Sequence, residues 1–430
     1  MSETNEAGIE ARIAAGVLLN AALERRGGMD EALNFRELKG LSPQDRAFAR
    51  AVAMAALRRL GEIDAILDRR LKKGPPLAVR TILRVALAQT MVLNTPDFAA
   101  VSSAVKLAER DVKTRPYKGL VNAVLRGIGR DGPDKTAAEA NLPDWIAARW
   151  RAAFGVDTLI ALAEAGRVEP ATDLSLKPGA DAPALAEALE GVVLPGGSVR
   201  TTRRGDIAEW PGFADGSWWI QDAAAAVPAR LLDVKPGESA LDMCAAPGGK
   251  TLQLAAAGAA VTALDRSESR LRRLTQNLER TGLTAEAVAV PAEDWEDART
   301  FDAVLLDAPC TATGTYRRNP EALRRTRPAD VADLADVQHR LLDAAAARVK
   351  PGGRMVYCVC SLEREEGESQ IIAFLRRHTD FSLAPADPAA VGAPPEALAS
   401  EGWLRILPSM WSEHGGLDGF FVARLERVQA

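Results

Sequence analysis

Two cysteines in the C-terminal half follow predicted strands and could act together on a substrate. Cys310 lies in the motif Leu306-Asp-Ala-Pro-Cys-Thr-Ala-Thr-Gly-Thr315, and Cys360 lies in Tyr357-Cys-Val-Cys-Ser361. Because each motif comes directly after an apolar stretch, both cysteines are expected at the carboxyl ends of strands, the edge where open α/β sheets bind ligands. The thiolate form of cysteine is a strong nucleophile, so the pair favours covalent catalysis.

The residues around Cys310 indicate which atom of a substrate the cysteines could act on. Methyltransferases that act on exocyclic amines carry Asn or Asp followed by two prolines and an aromatic residue at this place, and here Asp307 is followed by Ala-Pro-Cys. The Pro-Cys pair is instead typical of chemistry at carbon 5 of a pyrimidine. That carbon becomes nucleophilic only after a thiolate adds to carbon 6. The residues themselves leave open whether Cys310 or Cys360 makes that addition.

A turn with two glycines lies between the first predicted strand of this half and its helix, in Leu241-Asp-Met-Cys-Ala-Ala-Pro-Gly-Gly-Lys-Thr251. Glycines let backbone amides approach a ligand, and a helix N-terminus favours negative charge. A phosphate loop needs glycine five places before Gly249, where Cys244 stands, so nucleotide hydrolysis is disfavoured. A purely structural turn is one alternative. The favoured interpretation is an S-adenosyl-L-methionine loop, with contacts from Cys244, Ala245, Ala246, Pro247, Gly248, Gly249 and Lys250.

Asp265 ends the second predicted strand, sixteen residues after Gly249. An acidic residue at about this spacing accepts hydrogen bonds from ribose hydroxyls in Rossmann-type sites. An isolated aspartate at a strand end is often only a helix N-cap, but the glycine loop at the right distance favours a cofactor role. Arg270 lies one turn into the next helix and is predicted to pair with Asp265. Asp307 completes the predicted cofactor contacts.

The remaining cysteines, Cys244 and Cys358, are predicted to pack as small apolar residues. No metal site is expected, because a Cys-x-Cys pair and two distant single cysteines do not match the usual zinc spacings. The histidines are scattered and are expected at the surface (His339, His378 and His414). All four cysteines lie in the second half of the chain, which favours free thiols in a reducing cytoplasm over a disulfide framework.

The elements that would position these motifs alternate between strands and helices from residue 239 onward. The predicted strands cover 239–242, 260–264, 287–290, 302–306 and 354–359. One predicted helix starts at Thr251, and the others cover 268–281, about 329–349 and 366–377. This alternation predicts an α/β fold class with a mostly parallel, doubly wound, Rossmann-like sheet.

The part of the chain before residue 236 has a different pattern. Residues 9–130 show apolar positions at helical spacing, interrupted by proline-containing turns, and predict an all-α domain. Residues 131–235 mix short strand-like runs with Gly and Pro and predict a linker and a small α+β subdomain. The predicted division is therefore 1–133, 134–235 and 236–430.

Charge and composition indicate the partner class. The 430 residues carry a net charge of −4, yet residues 51–130 hold 15 Lys and Arg against six Asp and Glu. A basic helical segment within an acidic chain favours contact with a polyanion such as RNA, although a solvated set of helix faces is the alternative. No apolar run approaches the length of a membrane span, and the polar N-terminus is unlike a secretory signal, so a cytoplasmic protein is expected.

These motifs together resemble the RNA cytosine-5 methyltransferases, in the branch that acts on bacterial 16S rRNA (type B) and carries a NusB-like helical domain. The likeness covers nearly the whole chain, including Asn94-Thr-Pro96 and Gly119-Leu-Val-Asn-Ala-Val-Leu-Arg126 in the helical part and Asp418-Gly-Phe-Phe421 near the end. It implies a NusB-like RNA-binding domain at 1–133 and a methyltransferase domain at 236–430.

The resemblance also assigns roles to the site residues. It implies that Cys360 is the nucleophile, that Cys310 assists product release, and that Asp307 contacts the cytosine. The implied cofactor is S-adenosyl-L-methionine, and the implied partner is RNA, with 16S rRNA favoured. The protein is expected to be a monomer. A tRNA cytosine-5 methyltransferase and a non-catalytic RNA-binding or ribosome assembly factor are the alternatives.

Two positions depart from the family pattern. Val359 precedes the nucleophile where the family often has Thr. Pro291 occupies the place of an aspartate that commonly meets adenine, and Glu293 and Asp294 follow it. Whether Asp294 replaces that aspartate is open.

Overall fold

Helices make up the first part of the chain, and two sheets together with further helices form the rest, in a computed structural model that describes residues 3–24, 28–32, 35–132 and 135–429. The α-helices are α1 (Glu3–Leu23), α2 (Gly28–Ala32), α3 (Arg36–Lys39), α4 (Pro43–Arg58), α5 (Leu60–Arg70), α6 (Leu77–Met91), α7 (Asp97–Arg110), α8 (Lys118–Asp131), α9 (Asp144–Phe154), α10 (Val156–Arg167), α11 (Ala182–Ala188), α12 (Ala223–Leu232), α13 (Gly249–Ala256), α14 (Glu268–Thr281), α15 (Glu321–Arg325), α16 (Pro328–Arg348), α17 (Glu368–Arg377) and α18 (Pro388–Val391). The strands are β1 (Thr172–Leu176), β2 (Val192–Val193), β3 (Val199–Thr201), β4 (Trp218–Ile220), β5 (Ser239–Met243), β6 (Ala260–Asp265), β7 (Glu286–Ala289), β8 (Phe301–Asp307), β9 (Val349–Val359), β10 (Phe381–Ala384), β11 (Leu404–Ile406) and β12 (Phe420–Arg427).

The chain forms two compact units, and they differ from the predicted three-part division. The first unit contains Met1–Val168 together with Asn319–Arg325, and the second contains the remainder. The predicted boundary at residue 133 lies outside the described residues. Helices α9 and α10 lie in the helical unit, and polar contacts join this part of the chain to α5: Asn141, just before α9, donates to Glu62 Oε1 at 2.6 Å, and Arg167 of α10 pairs with Glu62 at 3.0 Å.

The helical unit is all α, as predicted from its apolar spacing. Its core contains fully buried side chains from helices α1, α4 and α6, such as Leu18, Val52 and Leu83. Helix α4 begins with proline, and its N-cap residue Ser42 accepts a hydrogen bond from Asp45 N at 3.1 Å. A proline in the first turn and a serine cap are ordinary start signals of a helix.

The large sheet of the second unit has the strand order β10-β12-β9-β8-β5-β6-β7, and β11 pairs with β12. Strands β5 to β9 are mutually parallel, which confirms the predicted Rossmann-like α/β fold. The chain leaves β5 toward β6 and β7 and then returns to β8 on the other side, so a topological switch point lies between β5 and β8. Ligands bind at such a switch point in open α/β sheets.

The antiparallel strands of the large sheet were not among the predicted strands, whereas strand-like runs were predicted at 173–177 and 192–194 in the small subdomain, where β1 and β2 lie. Strands β10, β11 and β12 close one side of the large sheet, and β12 runs antiparallel to β9. The small subdomain is an antiparallel sheet in the order β2-β3-β1-β4, packed within the second unit. Among the described residues, no helix has the length and apolarity needed to cross a bilayer.

Candidate active site

The loop between β5 and α13 has the tight geometry that its sequence predicts. Cys244 and Gly248 both adopt positive φ, +62° and +109°. A Cβ at Gly248 would lie 2.9 Å from Leu274 Cγ, so only glycine fits there without displacing α14. Helix α13 begins at Gly249, and its first-turn amides therefore face the loop. Ala245 and Ala246 are buried, whereas Pro247 is exposed.

Asp265 holds this loop from the end of β6. Its carboxylate accepts hydrogen bonds from Ala246 N at 3.1 Å and from Ser267 N at 2.9 Å. The predicted partner Arg270 lies 3.3 Å from Asp265 Oδ2 and also donates to Ala246 O. Asp265 is buried, so the structure gives it an organising role in the loop, and its contact with a ribose stays a prediction.

Asp242, near the end of β5, was not predicted as a functional residue. Its side chain is fully buried, and Thr251 Oγ1 donates to Asp242 Oδ2 at 2.6 Å, while Oδ1 has no hydrogen-bond partner. Burial raises the pKa of Asp242 to about 7, and the carboxylates of Asp307 and Asp265 add to the rise. Removing a buried carboxyl from water disfavours its charged form, which accounts for the direction.

Lys250 and Asp307 form an ion pair across the switch point. Lys250 Nζ lies 2.8 Å from Asp307 Oδ2, and the Cys358 thiol donates to Asp307 Oδ1 at 3.4 Å. Burial alone would lower the pKa of Lys250, but the Asp307 carboxylate outweighs it and raises that pKa. The Lys250 ammonium also lies 5.3 Å from the centre of the Phe420 ring. The lysine is therefore held in its charged form beside the carboxylate.

The two motif cysteines meet at this edge. Cys310 Sγ and Cys360 Sγ are 3.5 Å apart, although 50 residues separate them in the chain. The hydrogen bond with Cys360, together with burial, raises the pKa of Cys310 well above its ordinary value. Both side chains are half-buried. The sequence prediction that strand ends bring these thiols together agrees with this geometry.

The other two cysteines pack as predicted. Cys358 is fully buried in one cluster of core residues, and Cys244 is half-buried against a different one. Burial raises the pKa of Cys358 well above the ordinary value and that of Cys244 to about 12. Asp294 ends a short 3-10 helix and is exposed, while its neighbour Glu293 pairs with Arg340 at 3.0 Å.

A buried carboxylate behind the thiols was also missed by the sequence analysis. Glu366 is fully buried and accepts hydrogen bonds from Thr311 and Ser361, the residues that follow the two motif cysteines. Burial raises the pKa of Glu366 even though these donors act against the rise. The only signal in the sequence is a run of four glutamates between 363 and 368, and spacing does not show which of them points inward.

A parallel sheet with a glycine-containing loop at its switch point, and a carboxylate beside two thiols at the same edge, defines an enzyme of the methyltransferase class. A family model described as 16S rRNA methyltransferase RsmB/F matches residues 229–426, and a NusB family model matches residues 9–130. The chain belongs to the RsmB/F family of 16S rRNA methyltransferases. The resemblance inferred from the motifs is therefore confirmed.

Individual proteins agree with this assignment. The chain is 34% identical to ribosomal RNA small subunit methyltransferase B of Xanthomonas campestris, over 89% of this chain and 92% of that protein. It is 35% identical to the protein of the same name from Thermus thermophilus, over 99% of both chains. The crystal structure of PH0851 is similar with a TM-score of 0.74 and 25% identity, over 96% of this chain and 98% of that one.

Proposed function

We propose that this protein transfers a methyl group from S-adenosyl-L-methionine to carbon 5 of a cytosine in small-subunit rRNA, through a covalent adduct with Cys360. The observation that carries the proposal is the 3.5 Å separation of the Cys310 and Cys360 sulfurs at the switch point. Carbon 5 needs one sulfur to activate the ring and one base to remove its proton. Two adjacent thiols supply both groups.

Asp307 and Lys250 are suited to hold the cytosine. A base that reacts in this way leaves its stack and is recognised by hydrogen bonds along its edge. The Asp307 carboxylate is about one-third exposed, and the buried Lys250 ammonium fixes it from one side at 2.8 Å. Lys250 thus holds Oδ2 and the Cys358 thiol donates to Oδ1, while the exposed part of the carboxylate can hold the ring nitrogen as carbon 6 is attacked.

The two thiols differ in a way that supports Cys360 as the nucleophile. The hydrogen bond with Cys360 and burial raise the pKa of Cys310, so Cys310 keeps its proton in the resting enzyme and is a poor nucleophile. When Cys360 forms its bond to carbon 6, its sulfur no longer carries charge. The main cause that raised the pKa of Cys310 is then removed, so Cys310 can release its own proton to solvent. The resulting thiolate takes the proton from carbon 5, the electron pair of that bond forms the double bond between carbons 5 and 6, and Cys360 leaves carbon 6 as a thiolate.

The loop from Cys244 to Lys250 is suited to hold the cofactor. Gly248 leaves no side chain at the turn, and the amides of the first turn of α13 face the loop. Asp265 and Arg270 fix the loop, and Asp307 lies at the next strand end. S-adenosyl-L-methionine, when bound, supplies an electrophilic methyl group. The chain's own residues orient it toward the edge that carries the thiols.

The basic helical unit is proposed to supply RNA affinity. Its excess of Lys and Arg over residues 51–130 includes Lys72 and Lys73, both exposed in the turn between α5 and α6. Neutralised phosphates release counterions, so affinity that comes from such contacts falls steeply with salt. We further propose a monomer that acts in the cytoplasm without a resident metal.

A bisulfite map of total RNA tests the proposal. Cells that lack the gene are compared with cells that carry the intact gene or Cys360→Ala. We expect one cytosine of small-subunit rRNA to be protected only with the intact gene. A protected cytosine in tRNA would change the substrate, and the absence of any gene-dependent protection would contradict the proposal.

A further inference from the structure

The two thiols lie on different loops, and the sheet does not extend far enough to fix both. Cys310 and Cys360 follow the last paired residues of β8 and β9. One main-chain hydrogen bond joins the loops beyond that point, from Gly314 N to Cys360 O at 2.9 Å. Thr313 Oγ1 also joins the loops, because it accepts from Leu362 N at 3.0 Å and lies 3.2 Å from Ser361 Oγ. The residues that directly follow the cysteines, Thr311 and Ser361, lie 3.1 Å apart at their hydroxyls and share a further side-chain partner.

That side chain is Glu366. Its carboxylate accepts hydrogen bonds from Thr311 N at 2.9 Å, from the Thr311 hydroxyl and from the Ser361 hydroxyl. Gln338 Nε2 donates to the same carboxylate at 3.0 Å and to Pro309 O at 2.9 Å. All of these contacts lie within one buried cluster, so a single carboxylate bonds both thiol-bearing loops and the helix behind them.

The main chain of Glu366 is itself anchored. Tyr357 Oη donates to Glu366 O at 2.5 Å, and both side chains are fully buried. A separate guanidinium holds the other side of the second loop, because Arg405 donates to Ser361 O at 2.6 Å and pairs with Glu368 at 2.6 Å. Glu366 therefore has a fixed position from which its carboxylate can hold the loops.

We infer that Glu366 is a positioning residue whose carboxylate sets the separation of the Cys310 and Cys360 sulfurs. The inference rests on the proposed function and adds a residue to it. A carboxylate suits this place because its two oxygens accept four hydrogen bonds and its charge strengthens each of them. In Glu366→Gln the amide nitrogen can donate to the two hydroxyls, but the bonds lose their charge assistance, so the side chain holds the two loops more weakly.

The test compares Glu366→Gln with Asp302→Asn in the full chain. Asp302 lies at the opposite end of β8 and accepts hydrogen bonds from Ser239 N at 2.9 Å, Ser239 Oγ at 2.6 Å and Lys350 Nζ at 2.8 Å. The control therefore makes the same chemical change at a carboxylate of similar bonding, away from the thiols.

The first readout is geometric and needs no RNA. Phenylarsine oxide bridges two neighbouring thiols, and mass spectrometry identifies whether the bridge joins Cys310 to Cys360. We expect capture in Glu366→Gln to be slower by about tenfold, because the effective concentration of the second thiol falls when the loops move. Asp302→Asn is expected to capture at the rate of the wild type.

The second readout is kinetic. A displacement of about 1 Å at reacting groups can lower the rate on the order of 10- to 100-fold, so kcat should fall by that amount in Glu366→Gln. The affinity for S-adenosyl-L-methionine, measured by calorimetry, should be unchanged, because Glu366 does not contact the loop from Cys244 to Lys250. A merely structural role would lower both quantities or neither.

Unchanged arsenical capture in Glu366→Gln would overturn the inference, whatever the enzyme methylates. If phenylarsine oxide bridges the two cysteines at the expected rate in the wild type and more slowly in Glu366→Gln, the inference holds even if the proposed substrate is wrong. If Glu366→Gln does not fold, Ser361→Ala removes one of the four donors and should slow capture in the same direction. If folded Ser361→Ala reacts with phenylarsine oxide at the rate of the wild type, that result would contradict the inference.

Discussion

Replacing Asp242 by asparagine should change how the stability of the protein depends on pH. Asp242 is fully buried next to the loop from Cys244 to Lys250, and one of its carboxylate oxygens has no hydrogen-bond partner. Its pKa is raised by burial to about 7. Asparagine has the same shape and keeps an oxygen for Thr251 Oγ1, but it cannot ionise, so the substitution removes the titration and leaves the packing.

The sign and the size of the effect follow from the raised pKa. The stability that neutral Asp242 contributes is fully present below its ordinary pKa of about 4 and is lost as the pH rises through 7. The wild-type free energy of unfolding should therefore fall over that window because of this group. The full shift corresponds to on the order of 4 kcal/mol as an upper limit. Relative to the wild type, Asp242→Asn should gain stability by up to that amount between pH 4 and pH 7.

The assay is urea unfolding of both proteins at a series of pH values between 3 and 8. Asp302→Asn is the matched control, because hydrogen bonds from Lys350 and Ser239 hold the pKa of Asp302 below its ordinary value. The stability that Asp302 contributes is present above its ordinary pKa and is lost at lower pH, which is the opposite sign. A constant difference between Asp242→Asn and the wild type from pH 4 to pH 7 would refute the reasoning.

Three further changes probe the proposed cofactor loop and the proposed RNA surface. Asp265→Ala should weaken S-adenosyl-L-methionine binding at least about tenfold, since a charge-assisted hydrogen bond contributes roughly 1.5–3 kcal/mol, and unchanged affinity by calorimetry would remove Asp265 from the site. Gly248→Ala should cost about 1–3 kcal/mol of unfolding free energy and reduce cofactor affinity. Its control Gly237→Ala also has positive φ (+86°) but has open space for a Cβ, so it should retain cofactor affinity, and equal losses in both variants would contradict the role of crowding at Gly248. Converting Lys72 and Lys73 to Gln should make the salt dependence of RNA affinity shallower by up to about 0.7–0.9 per lost phosphate contact, and an unchanged slope would exclude these lysines from the interface.

The parallel part of the sheet was predictable because its signals are local. Helix α14 covers the predicted residues 268–281, since Ser267 caps its start and Gly282 ends it with a φ of +63°. The antiparallel strands were missed for a physical reason. Strand β12 pairs with β9, which lies about 60 residues earlier in the chain, so no local pattern indicates that the C-terminal segment returns to the same sheet.

The candidate site, too, could be predicted from the sequence only where local signals determine the position of a residue. Strand ends placed Asp307, Cys310 and Cys360 at one edge, because parallel strands share that edge regardless of loop detail. The paths of the loops after β8 and β9 determine which other side chains lie next to the thiols. Glu366 lies in an acidic run that looks like a solvated surface, and only the path of the loop after β9 turns its carboxylate inward. The structure pairs Lys250 with Asp307 at 2.8 Å, a contact that the sequence did not indicate, and the predicted contact of Lys250 with the cofactor stays a prediction.

The roles of the two cysteines are the central claim, and a denaturing gel of the protein mixed with a small-subunit rRNA transcript and S-adenosyl-L-methionine tests them most directly. Each Cys→Ala change removes one sulfur and should alter stability by only about 1 kcal/mol, too little to abolish activity by unfolding. If Cys360 attacks carbon 6 and Cys310 assists release, Cys310→Ala should accumulate a covalent protein–RNA band and Cys360→Ala should form none. A trapped band with Cys360→Ala and none with Cys310→Ala would contradict the assignment.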